Sequence, residues 1–183
     1  MISAGLRVQG VPVVERELTQ LHKKFGSFYA ANVAVKSRAF EHVPELLGTL
    51  KVRGAKLAVC TNKLEGLSKA LLNALDLGQY FDFIAGRDTF EESKPNPAHL
   101  TKTILATGGS LQRAVYVGDS DVDIITARDA QVPCIAVSFG YTPVPVRQLA
   151  PDVVIDHYSE FISALEGLLR SPRLLPMRAC NLP

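Results

Sequence analysis

A chain of 183 residues with 47% hydrophobic content can bury one core with an appendage, which excludes a disordered tail protein. Its 20 lysines and arginines are set against 18 acidic residues and are scattered along the chain, so nothing marks a nucleic-acid-binding face. The apolar stretches are strand-sized and broken by charge, short of the roughly 20 residues that cross a bilayer.

Met1 to Arg7 have neither the basic start nor the apolar core of a signal peptide. The three cysteines, Cys60, Cys134 and Cys180, lack metal-like spacing, so free thiols and a cytoplasmic location are expected. Over residues 11–35, Val14, Leu18, Leu21, Phe25 and Phe28 recur at alternating intervals that mark one face of an amphipathic helix, which Gly26 interrupts or passes. From Phe40 onward, helical runs alternate with short strands, the signature of a parallel sheet flanked by helices. Val43, Leu46, Leu47 and Leu50 predict a helix ending near Gly54, and a strand follows over Lys56–Cys60. Leu64, Leu67, Leu71 and Leu75 predict the next helix, and Tyr80–Ala85 the next strand. Asn96 with Pro97 reads as an N-cap and first helical position, with Leu100, Ile104 and Leu105 facing inward. A strand over Ala114–Val117 leads to a helix from Val122 to Ala130 carrying Ile125 and Ala127. Cys134–Val137 and Val153–Ile155 are further strands, Ser159 opens a last helix to Leu169, and 171–183 is a loosely ordered tail.

Three places on this frame carry chemistry. The run Val115-Tyr116-Val117-Gly118-Asp119-Ser120-Asp121-Val122-Asp123 ends an apolar strand in carboxylates at alternate positions, which suits a hard cation. Thr61 and Asn62 follow the strand ending at Cys60, offering a hydroxyl and an amide; a helix cap is the competing role for Thr61. Lys94 stands in Ser93-Lys94-Pro95-Asn96-Pro97, a loop stiffened by prolines. Hydroxyl, lysine and carboxylates in that order suit a phosphate and its magnesium ion, Mg2+. Ser120 either caps the following helix or supports the site. Arg87 and Asp88 face a cap or form an exposed ion pair. His22, His42, His99 and His157 are dispersed with no second ligand at metal spacing, and read as surface or packing residues.

These motifs resemble the haloacid dehalogenase-type phosphatases, and within them most closely the phosphoglycolate phosphatases, over about Phe40 to Leu169. Gly140-Tyr141-Thr142, Leu149-Ala150-Pro151-Asp152 and Val154-Ile155-Asp156 support that subgroup. The resemblance implies a Rossmann-like α/β core over 41–170, with residues 1–40 as part of a helical cap, although an ordinary packing helix fits residues 11–35 as well. It also implies phosphate-monoester hydrolysis through an aspartyl-phosphate, with a small phosphorylated metabolite as partner; oligomeric state is left open. In it Thr61 is the phosphate-binding hydroxyl, aided by Asn62, and Lys94 neutralises the transferred phosphoryl group. Asp119 and Asp123 are the metal-site acids, Asp119 as ligand and Asp123 orienting a metal-bound water or holding Lys94. Asp121 falls at a variable position.

The family's opening motif, an apolar strand ending Asp-x-Asp-Gly-Thr, is not found in these residues, whose first aspartate is Asp76. Asp119-Ser120-Asp121 is a poor substitute, because no glycine-threonine follows. The expectation is a truncated and inactive phosphatase, missing a central strand between those that end at Thr61 and Asp119. Either the flanking strands close that gap or the chain is poorly stable by itself. Two alternatives stand beside this one: a non-catalytic phosphate- and metal-binding module, and a sugar-phosphate phosphatase of the same superfamily.

Overall fold

The computed structural model of the chain describes Val8 and residues 15–170, and the chain divides into two compact units, Met1–Arg38 and Ala39–Pro183. Val14, the helix start expected at residue 11, and the tail 171–183 with Cys180 lie outside the described residues. In the first unit α1 spans Glu15–Ala31. It runs through Gly26, since one glycine costs a helix only about 1 kcal/mol. Phe25 and Tyr29 stack at 5.9 Å, and Asn32 Nδ2 donates to Phe28 O at 2.8 Å at the helix end. The apolar face read from the spacing is present, with Leu21, Phe25 and Phe28 exposed.

The second unit begins with α2 (Val43–Val52), β1 (Ala58–Cys60), α3 (Glu65–Ala74), β2 (Phe83–Ala85) and α4 (Pro97–Ala106). It continues with β3 (Tyr116–Gly118), α5 (Asp121–Asp129), β4 (Cys134–Val137), β5 (Val153–Ile155) and α6 (Phe161–Leu169). Every strand pair is parallel, and helices cover both faces, which makes this an α/β fold as expected. On one face Leu100 of α4 and Ile124 and Ala127 of α5 pack with Tyr116 and Cys134. On the other, Leu46 and Leu50 of α2 and Phe161 of α6 pack with Ile135, Val137 and Ile155. β4 is buried along its whole length, which is why Cys134–Val137 reads as an unbroken apolar run.

Some elements depart from expectation for local reasons. The strand predicted over Tyr80–Ala85 starts only at Phe83, because Gly78–Tyr80 form a 3-10 turn. Asp82 turns to Leu57, accepting its backbone N–H at 2.8 Å, and takes the Lys51 ammonium at 2.8 Å. Leu105 is 60% exposed: one residue beyond Ile104, it has rotated off the face that buries His99, Leu100 and Thr103. Of the two isoleucines on α5, Ile124 is buried and Ile125 exposed. The last helix opens with a 3-10 turn, Tyr158–Glu160.

The strands do not form one continuous sheet. β1 pairs with β2, β3 with β4 and β4 with β5, as a two-stranded and a three-stranded sheet. The flanking strands therefore do not close the gap by pairing with each other. Ala58 of β1 is exposed and Val117 of β3 is 37% exposed, unlike any residue of β4. The halves are joined instead by side chains: Leu100 packs with Tyr116 while Cys60 of β1 lies against the same cluster, and the Tyr116 hydroxyl lies 3.2 Å from Cys60 O.

Candidate active site

Thr61 directly follows β1, Asp119 directly follows β3, and Lys94 lies in the loop that leads into α4. The loop is anchored at both ends. Asn62 Nδ2 donates to Lys94 O at 2.9 Å, and Asn96 caps α4 by accepting from Ala98 N at 2.9 Å. Glu92 O is held by His99 Nδ1 at 2.8 Å; since a carbonyl only accepts, His99 carries its proton on Nδ1. The Lys94–Pro95 peptide bond is cis.

The Lys94 ammonium reaches Asp123 Oδ1 at 2.6 Å and the Tyr116 hydroxyl at 2.9 Å. The Lys94 and Asp123 side chains are only 10% and 6% exposed. Tyr116 donates to Asp123 Oδ1 at 2.8 Å, while Asp123 Oδ2 accepts from Ser120 Oγ at 2.7 Å, Ser120 N at 3.2 Å and Asp119 N at 3.1 Å. Ser120 is the N-cap of α5 and forms a capping box with Asp123. Burial alone would raise the Asp123 pKa, but the Lys94 charge and the hydrogen bonds from Lys94, Ser120 and Tyr116 outweigh it and hold the carboxyl below its usual range. Burial first, then the Asp123 charge, raises the Tyr116 phenol well above the ordinary value. Neither Cys60 nor Cys134 is disposed to ionise at neutral pH. Burial pushes the Cys134 thiol up to about 12, with Asp123 and Asp152 adding to it, and burial raises Cys60 against the opposing Lys94 charge.

Asp119 has a different setting. It lines a cavity of about 290 Å³ with Phe40, Val117, Val137, Phe139 and Tyr158. Its Oδ2 accepts from Tyr141 N at 3.2 Å, and no ion pair among the described residues includes it. Two glycines allow this packing: a Cβ on Gly140 would overlap the Asp119 side chain, and one on Gly118 would overlap Asp123. A carboxylate with spare lone pairs, facing a cavity and lacking a counter-charge, fits a hard cation such as Mg2+. Asp121 points elsewhere, into a surface hollow with Ile125, Arg128 and Gln148. The three acids at alternate positions therefore diverge to three environments.

Thr61 Oγ1 accepts from Lys63 N at 3.1 Å, and Thr61 N donates to Ala85 O at 3.0 Å, fixing the turn after β1. Through Asn62 and Cys60 that turn joins the Lys94–Tyr116–Asp123 network, so the three motifs meet in one region. Asp88 is in no ion pair among the described residues; its Oδ1 accepts from Glu65 N at the start of α3. Sequence reading missed Tyr116, which suits an apolar strand and so drew no notice; its one signal was a buried hydroxyl, which needs a partner. It also treated the histidines as dispersed. The His42 and His157 rings are 5.0 Å apart, and His99 is fully buried.

Residues 11–137 match the family described as haloacid dehalogenase-like hydrolase. The phosphoglycolate phosphatase of Caulobacter vibrioides is 40% identical over 171 residues, 93% of this chain and 72% of that protein. That of Mesorhizobium japonicum is 44% identical over 156 residues, 85% and 69% of the two chains. Among solved structures, a predicted phosphoglycolate phosphatase from Haemophilus somnus matches with a TM-score of 0.82 at 28% identity, covering 87% of this chain and 71% of that one. With a family match over more than half its length and relatives of this identity and coverage, the chain belongs to the haloacid dehalogenase-like hydrolases, in the company of phosphatases.

Proposed function

We propose that this chain carries the phosphate- and metal-handling residues of a magnesium-dependent phosphatase of the phosphoglycolate type, and that a polypeptide of these 183 residues alone has no turnover. The observation that carries this reading is the Lys94 ammonium, held by Asp123 and Tyr116 close to the strand end where Asp119 faces its cavity. The names of the relatives support the substrate.

In this reading the Thr61 hydroxyl and the Asn62 backbone N–H hold phosphoryl oxygens, and Lys94 offsets their charge. Asp119 would hold Mg2+, which supplies further charge neutralisation at the phosphoryl group. Asp123, its oxygens taken by protein donors, positions Lys94 and the Asp119–Ser120 backbone. An aspartate from the family's opening motif would attack phosphorus as the bond to the leaving oxygen breaks, and water would then release phosphate from the aspartyl-phosphate. We read residues 1–40 as part of a helical cap, 41–170 as the core and 171–183 as a tail. The free thiols Cys60 and Cys134 support a cytoplasmic setting, and no helix of the described residues is long and apolar enough to cross a membrane.

The test is phosphate release from 2-phosphoglycolate. The expected result is none above blank for the 183-residue polypeptide. Turnover should appear when a segment bearing a strand ending in Asp-x-Asp-Gly-Thr is fused to it, and chelation of Mg2+ should abolish it. Hydrolysis by the unfused polypeptide would overturn the inactivity, and a panel preference for sugar phosphates would overturn the substrate. Phosphate and Mg2+ binding without turnover in the fused form would favour the non-catalytic module, a reading motivated by the absence of Asp-x-Asp-Gly-Thr from these 183 residues.

A further inference from the structure

We propose that Glu41, His42 and His157 form a second metal site, for a transition metal of the zinc class, independent of Asp119 and of the phosphatase reading. One ligand atom from each of the three side chains lies within 4.8 Å of the others. Zinc–nitrogen bonds of about 2.0–2.1 Å require ligand atoms roughly 3.3 Å apart, so each side chain moves by about 1 Å or less to close on an ion. Glu41 and His42 are exposed and His157 half-buried, so small side-chain rotations meet little resistance.

The pairing of segments far apart in the chain is held by aromatic packing. The ring of Phe40, two residues before His42, lies 5.3 Å from Phe139 and 6.0 Å from Tyr158, the neighbour of His157. Phe139 and Tyr158 are themselves 5.3 Å apart. This aromatic trio fixes the two histidine-bearing segments side by side, and a bound ion would bridge them at its edge.

His157 also has the second partner that ligand histidines use. Ser159 Oγ lies 2.8 Å from its Nδ1; with Nδ1–H donating there, Nε2 keeps its lone pair for a metal. The longer Ser159 N contact to Nδ1, at 3.3 Å, is given up in that tautomer. Two imidazoles and one carboxylate select zinc, nickel or copper over magnesium or calcium, which favour oxygen. Three protein ligands leave the remaining coordination to water.

The experiment titrates the full chain with Zn2+ against a chromophoric chelator in millimolar Mg2+. The expected result is one Zn2+ per chain at micromolar affinity that Mg2+ does not displace. His42→Asn and His157→Asn should each weaken it by about tenfold or more, while Asp119→Asn leaves it unchanged. Asparagine is chosen because His42 has a φ of 66°, which asparagine tolerates, and because at 157 it still offers an acceptor to Ser159 N. Absence of Zn2+ binding, or equal affinity in the double variant, overturns the site. Should a variant fold poorly in metal-free melts, paramagnetic Co2+ added to the wild-type chain decides: the imidazole C–H signals of His42 and His157 should broaden together, and broadening of His99 in their place refutes the assignment.

Discussion

Among the described residues Asp123 accepts hydrogen bonds from five protein donors, whereas Asp119, one helical turn earlier, accepts one. Both follow the same apolar strand, and from composition alone they are equivalent. Their surroundings divide the work. The Asp123 region is buried and saturated, with a lysine, a tyrosine and a helix start locked onto one carboxylate, so it fixes geometry. The Asp119 region is open, with a carboxylate at a cavity wall and lone pairs to spare, so it is suited to a ligand that comes and goes. A buried ion pair is a poor source of net stability, because desolvating both charges offsets much of their attraction. Its retention beside an open acid argues that what it secures is the position of the Lys94 ammonium.

That contrast breaks most visibly when one partner is removed. Lys94→Met leaves the Asp123 charge buried without its counter-ion, and urea unfolding should show a loss of about 3–5 kcal/mol. Adding Asp123→Asn should restore more than half of it, since one amide oxygen still accepts from the Ser120 and Asp119 N–H groups while the amide NH2 donates to Tyr116. No recovery would mean that packing around the lysine stem dominates. The same pair sets an acid limb. Because the Asp123 pKa is lowered in the folded state, its contribution is present above the unfolded value of about 3.9 and is lost as pH falls through the folded value. In Lys94→Met the counter-charge is gone and burial dominates, so acid unfolding should begin at higher pH; an unchanged limb would assign it to other carboxylates.

Tyr116→Phe is a gentler probe of the same region, expected to cost about 1–3 kcal/mol by removing the hydroxyl donor to Asp123 Oδ1 and leaving one Lys94 donor position unpaired in a buried setting. Because the hydroxyl also links the two sheets, hydrogen exchange should accelerate in β1 along with β3. Acceleration confined to β3 would show that the packing of α4, and not this bond, couples the halves.

What could be read from sequence tracks how local its cause is. Asn96–Pro97 and the run Cys134–Val137 depend on neighbours within a turn or on full burial, and they emerged as written; of the two roles left open for Ser120, it caps the helix and also bonds Asp123. The strand at Tyr80 failed because Asp82 is drawn to Leu57 and Lys51, partners that no local window contains. At the site, Thr61, Lys94 and Asp119 could be named from order and resemblance. The divergence of Asp121 from its neighbours, the link through Tyr116 and the approach of His42 to His157 are products of tertiary packing. The Tyr116 hydroxyl in particular is hidden by an aromatic ring that fits any buried strand.

The smallest stability effect is expected at the residue assigned the most chemistry. Asp119 lines a cavity, and its hydrogen bond is to the backbone of an exposed loop residue, Tyr141, so Asp119→Asn should change the unfolding free energy measured in urea by no more than about 0.5 kcal/mol. Its effect should appear in linkage. Mg2+ at a hundredfold over its dissociation constant should stabilise the wild-type chain by about 2.7 kcal/mol, and the asparagine variant should lose that increment while folding as well as its parent. Equal Mg2+ stabilisation of both would move the cation away from Asp119. A large loss of stability without metal would instead make Asp119 a structural acid like Asp123, and the division between a fixed carboxylate and an open one would fall.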